Sequence, residues 1–271
     1  RVILGLPPPP VLKGHPVFKT NTFFRAIVFA LSTVAVSAVA AEETAYPLDV
    51  FPDESKQETD TGTGAQLTYL TTNPASDTNL YFHERSWSSD STFIIFYSAR
   101  EPGGLMGYIV ATGELFRIAT PSGAVGAATA AKNKNAVFAL RGNEVVELNV
   151  TIALAKNPKR KRSSVKVSER VICTLPKASG TTALNENSDG TKLAVGRPGT
   201  AGSDLPIVFV IDRQTGEMKE GYRVPTPPQF MWHVQWSQTS PNLLSFAGSY
   251  PRLNVVDVDT GKAFAPYDHL R

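Results

Sequence analysis

From Gln66 onward the chain reads as short apolar runs separated by polar turns, and the runs carry strand periodicity. The turn Trp87-Ser88-Ser89-Asp90-Ser91 leads into Thr92-Phe93-Ile94-Ile95-Phe96-Tyr97. Met106 to Val110 then ends in the turn Ala111-Thr112-Gly113-Glu114, and Leu115 to Ile118 follows at once. The same unit recurs as Asn187-Ser188-Asp189-Gly190-Thr191, Lys192 to Val195, Ile207 to Asp212 and the turn Gln214-Thr215-Gly216-Glu217. It recurs again as Trp236 to Asn242, Leu243 to Phe246, Leu253 to Asp257 and the turn Asp259-Thr260-Gly261-Lys262.

The last two Thr-Gly turns lie 45 residues apart, and Thr112 precedes Thr215 by 103, room for one further unit. That unit is degenerate: Asn135 to Leu140, a turn at Arg141-Gly142-Asn143, Glu144 to Leu148, a basic insertion, and Glu169 to Leu175. A repeat of this length with several strands in each unit predicts an all-β fold, a β-propeller with about four blades present over residues 65–271. No segment of this region shows an amphipathic helical period.

Residues 42–64 are polar and acidic, with Pro47, Pro52 and Asp60-Thr61-Gly62-Thr63-Gly64, and read as a linker or an edge segment. Residues 1–41 read as an upstream extension containing Pro7 to Pro10, followed by a signal peptide. Lys19 and Arg25 precede the apolar run Ala26 to Val39, and Ala38-Val39-Ala40 forms a small-residue cleavage site. The run is short for a membrane span, which needs about 20 residues. The expectation is a secreted or periplasmic protein with no stable membrane insertion after cleavage.

Composition is that of an ordinary globular chain: 271 residues, 42% hydrophobic, 19% charged, net charge +3. Glycine and proline at 20 each favour turns over long helices. The positive excess sits in the leader and in Lys159-Arg160-Lys161-Arg162, without the interleaved aromatics that base stacking uses. That run reads as a solvated loop tip, and no nucleic-acid partner is expected. A single cysteine, Cys173 in an alternating run, excludes an intrachain disulfide framework and a zinc cluster.

The Ser-x-Asp-Gly and Asp-x-x-Thr-Gly-Glu turns resemble the TolB-type propeller repeat. Three further segments, Thr63 to Thr71, Asn79-Leu80-Tyr81-Phe82 and Trp232-His233-Val234-Gln235-Trp236-Ser237, together resemble the oligogalacturonate lyase family. The resemblance spans about residues 60 to 265. It implies a seven-bladed propeller and β-elimination on pectin-derived oligogalacturonates. It also implies a histidine base, an assisting arginine and a divalent, manganese-like metal held by histidines and a glutamine from later blades. His233 matches the base. The arginine would fall near Ile207 and a further histidine near Ala247-Gly248, where neither type occurs. The blades with the metal ligands would lie beyond Arg271. The expectation is therefore an incomplete site with little or no lyase activity and no metal ligands within the chain. The alternative is a non-enzymatic propeller that binds a protein or a glycan.

Of four histidines, His15 lies in the leader and His83, His233 and His269 are scattered, which on spacing alone makes no metal site. His83, beside Glu84 and Arg85, either lines the central funnel and contacts a carboxylated sugar or is a satisfied strand residue. His233 is either the base or a strand-start histidine packed beside Trp232 and Trp236. Arg85 and Arg100 are candidate carboxylate binders, since a guanidinium grips a carboxylate through two donors. Otherwise they are surface charges. Open blade edges would also invite self-association.

Overall fold

The computed structural model describes residues 45–157, 161–176, 181–182, 184–199, 205–225, 231–248 and 251–266. The leader, where a signal peptide is expected, and the first two residues of the basic run, Lys159 and Arg160, lie outside the described residues. Among the described residues no helix is long and apolar enough to cross a membrane.

The first strands are short: β1 (Tyr46–Pro47), β2 (Val50–Phe51), β3 (Lys56–Thr59) and β4 (Gln66–Tyr69). Four antiparallel blades follow in chain order. Blade 1 holds β5 (Asp77–Asn79), β6 (Phe93–Ser98), β7 (Gly104–Ile109) and β8 (Leu115–Ile118). Blade 2 holds β9 (Gly126–Ala130), β10 (Ala136–Arg141), β11 (Glu144–Ala153) and β12 (Ser164–Thr174). Blade 3 holds β13 (Asn185–Glu186), β14 (Lys192–Arg197), β15 (Ile207–Asp212) and β16 (Met218–Arg223). Blade 4 holds β17 (Trp232–Trp236), β18 (Leu243–Ala247), β19 (Leu253–Asp257) and β20 (Lys262–Phe264). The all-β propeller architecture expected from the repeat is what the chain adopts.

The middle strands are apolar on both faces because each is sandwiched between neighbours. In β6, Phe93 and Ile95 face blade 2, while Ile94 and Phe96 face the other way. In β15, Ile207, Phe209 and Ile211 face blade 2, while Val208 and Val210 face blade 4. Three buried clusters thus join blades 1 and 2, 2 and 3, and 3 and 4. No buried apolar cluster among the described residues joins blade 4 to blade 1.

Of the stretch read as a linker or an edge segment, Tyr46–Pro47 and Val50–Phe51 lie on blade edges. β1 pairs with the outer strand of blade 2, Tyr46 opposite Val167, and β2 pairs with that of blade 1, Val50 opposite Phe116. The segment straps the rims of two blades. β4, within the region read as blades, pairs with β3 in a separate hairpin whose strand residues are all exposed. Its apolar face is only Leu67 and Tyr69, and both stay partly in solvent, 41% and 48% exposed.

Candidate functional site

Each blade begins with its innermost strand, and in blade 1 that strand is interrupted. After β5, Leu80 is buried and the chain turns at Tyr81–Glu84 before resuming at the Trp87–Ile94 bridge. The Glu84 amide donates to the Tyr81 carbonyl at 2.9 Å, and the Tyr81 amide donates to Glu84 Oε2 at 3.0 Å. This self-closed turn pushes Tyr81 and Phe82 outward, 48% and 74% exposed, and tucks His83 inward at 8%.

In blade 4, β17 carries a bulge between Trp232 and Gln235, where the ladder with β18 shifts register. His233 sits in that bulge with φ of 54°, a left-handed backbone that costs a side-chain-bearing residue of order 1 kcal/mol or more. Bulges re-aim side chains next to functional sites. Here the re-aimed ring meets the turn of blade 1. Tyr81 stacks on His233 with centroids 5.2 Å apart and planes 9° apart. His83 stands edge-on to His233 at 6.0 Å. The structure thus brings together two histidines 150 residues apart in sequence.

Neither ring nitrogen of His83 has a hydrogen-bond partner among the described residues. An orphaned buried imidazole is costly, and such groups mark sites awaiting a ligand or another polar partner. Burial, and next the neighbouring His233, lower the His83 pKa and keep its ring neutral. Burial lifts the Glu84 carboxyl to about 6, opposed by its bond from the Tyr81 amide.

Arg85 is carried on the same segment and is exposed, with its amide donating to Thr129 Oγ1 at 3.0 Å. It makes no ion pair among the described residues. Arg100 does not belong to this centre, which corrects its assignment as a carboxylate binder. Its fork donates to both oxygens of Glu54 at 3.1 and 3.2 Å and to Thr71 Oγ1 at 2.7 Å. With Asp77 3.7 Å away and the side chain 10% exposed, this guanidinium is spent on fastening the β3–β4 hairpin to blade 1.

Two residues were not picked out by the sequence reading. Arg197, at the end of β14, lies directly across the ladder from Ile207, where the resemblance places an arginine one strand away. Its guanidinium lies over the Phe209 ring and its Nε is buried without a partner. Gly196 beside it leaves room for Val234, the neighbour of His233, since an added Cβ would fall 2.7 Å from a Val234 methyl. The second is Asn185 on β13, which donates to the His83 carbonyl and accepts from the Trp236 amide. Cys173 is half-buried on β12 with its thiol pushed up to about 11 by burial, so it is no nucleophile.

No family model and no curated protein matches the sequence. Among solved structures, an oligogalacturonate lyase in complex with manganese is similar over 84% of this chain, with 17% identity and a TM-score of 0.60. An oligogalacturonate lyase from Vibrio parahaemolyticus is similar over the same share, with 15% identity and a TM-score of 0.62. The chain spans 62% of the length of each. The likeness establishes a shared fold. One of those structures holds manganese, but the described residues here include no group of three histidine, cysteine, aspartate or glutamate side chains arranged to hold a metal.

Proposed function

We propose that the axial centre formed by Tyr81, His83 and His233 binds an acidic oligosaccharide of the oligogalacturonate class, with His233 as the base for β-elimination. The observation that carries the proposal is the orphaned, buried His83 ring beside a second histidine held in a strained bulge. A neutral imidazole can give an N–H to a sugar carboxylate and hold its orientation. In this reading His233, half-buried and stacked on Tyr81 beside Phe82, meets the sugar ring. Aromatic faces beside a few convergent polar groups are the usual furnishing of a small-ligand site.

In the elimination the C5–H proton passes to a His233 nitrogen. The C–H electron pair becomes the C4=C5 double bond, the C4–O bond breaks, and the departing oxygen takes a proton. The negative charge that builds toward the sugar carboxylate needs compensation. This reading offers Arg85 and Arg197 for it, with no metal-binding group beside them among the described residues. Elimination by this chain is accordingly slow, and recognition is its stronger activity. The fold likeness to two oligogalacturonate lyases supports this reading.

Calorimetry with trigalacturonate and with an uncharged trisaccharide tests it. The reading expects binding of the acid alone, weakened at least tenfold in His83→Ala. Any ultraviolet absorbance from unsaturated product is expected to vanish in His233→Ala. Equal binding of both sugars, or none of either at millimolar concentration, would overturn it and favour a propeller that binds a protein.

A further inference from the structure

The turn bearing His83 belongs to blade 1 and the strand bearing His233 to blade 4. One side chain of blade 3 holds both. Asn185 is buried, and its backbone is fixed opposite Ala194 in the β13–β14 ladder. Its Nδ2 donates to the His83 carbonyl at 2.9 Å, and its Oδ1 accepts from the Trp236 amide at 2.8 Å. These partners lie 102 and 51 residues away in sequence. A carboxamide suits the task because it offers a donor and an acceptor from one planar group. On the other side, Thr129 of blade 2 takes the Arg85 amide at 3.0 Å, so the turn is held from two blades.

Neither bond of Asn185 completes its own sheet. Both satisfy buried backbone groups of other blades, which is costly to undo. Blades 1 and 4 share no buried apolar cluster among the described residues, so these bonds are a direct link between them. We propose that Asn185 is a positioning residue: its two bonds set the spacing and stacking of the His83–Tyr81–His233 group. The catalytic consequence rests on the function proposed above; the geometric one does not.

The test uses the full chain with labelled histidine, its ring signals assigned through His83→Gln and His233→Gln. In the native protein, stacking on Tyr81 displaces the His233 ring-proton signals, and His83 titrates below its ordinary 6.5. In Asn185→Ala we expect the His233 displacement to collapse and the His83 midpoint to move toward 6.5. Asn185→Ser keeps a short acceptor but cannot reach both partners, and gives the same result should the alanine variant fail to fold. Asn187→Ala is the control. It removes the bond from Asn187 Nδ2 to the Pro241 carbonyl, between blades 3 and 4, and the bonds that Asn187 Oδ1 accepts from the Thr191 and Lys192 amides of its own turn, without touching the turn that bears His83, and should leave both signals in place. Where elimination is measurable, Asn185→Ser should lower kcat/KM by about 100-fold, as misplaced binding and reacting groups do. Unchanged histidine signals in a folded Asn185 variant would overturn the proposal. Native signals that respond as expected while no glycan binds would leave it standing and remove the function instead.

Discussion

Gly107 in the middle of β7 is the position where one added methyl should cost most. A Cβ there would lie within 2.6 Å of three Phe116 ring atoms, where ordinary contacts begin near 3.4 Å. Phe116 is fully buried, packed edge-on against Phe93 with centroids 5.8 Å apart, in the interface between blades 1 and 2. To make room the ring must retreat by roughly 1 Å into a close-packed core, which forces strained rotamers or a backbone shift. Overpacking of this kind costs about 1–3 kcal/mol, and full burial puts Gly107→Ala at about 3. Urea denaturation should show the midpoint lowered by about 1–2 M. Phe116→Leu alone should destabilise through the volume it removes, yet in the Gly107→Ala background it should restore stability, a coupling of opposite sign. A Gly107→Ala protein within about 0.5 kcal/mol of the native one, or two substitutions that simply add, would refute this account of the interface.

Within blade 3, Arg213 pairs with the fully buried Glu186 at 3.0 Å, and the Glu186 carboxylate also accepts from the Lys132 amide of blade 2 at 2.7 Å. Arg213→Ala should cost about 3–5 kcal/mol by leaving that charge uncompensated, and adding Glu186→Gln should recover part of the loss in the same denaturation assay. Arg100→Ala should release the β3–β4 hairpin, read as faster amide exchange over residues 56–69, while leaving glycan affinity unchanged. The axial histidine makes stability depend on pH. With the folded pKa of His83 below 6.5, the unfolded chain binds more protons, so stability is complete above about pH 6.5 and is lost as pH falls. Glu84, lifted from 4.5 to about 6, acts oppositely: the folded state holds the extra proton, and its contribution is lost as pH rises through that window. Raising the pH from 5 to 7.5 should therefore shift the thermal midpoint upward less in His83→Asn, and more in Glu84→Gln, than in the native protein.

The blades were legible because their signals are local. The Asp-x-x-Thr-Gly turns recur for a physical reason: Asp212 Oδ1 accepts from the amides of Gln214 and Thr215, and Asp257 Oδ1 from those of Asp259 and Thr260. In each, glycine then takes the left-handed conformation, Gly216 at φ 75° and Gly261 at φ 70°. The doubly buried middle strands announce themselves as unbroken apolar runs. The rim strands do not, because β1 and β2 are two residues each and exist only through pairing with strands 121 and 66 residues further along the chain, Tyr46 with Val167 and Val50 with Phe116. The axial centre was half legible. His83 and His233 stood out as rare residue types, but their meeting depends on a bulge and a turn insertion that no periodicity marks. Asn185 was invisible for the same reason, since its partners are backbone atoms of distant blades. Arg100 was misassigned because nothing in its neighbourhood advertises Glu54, 46 residues earlier, as its partner.

The central claim is that an acidic glycan binds at the axial histidine pair, and histidine-observed NMR during a trigalacturonate titration tests it most directly. The account predicts saturable, simultaneous shifts of the His83 and His233 ring signals, with the His83 pKa rising as its orphaned ring gains a carboxylate partner. Saturating binding that leaves both signals in place would put the glycan elsewhere and contradict the account.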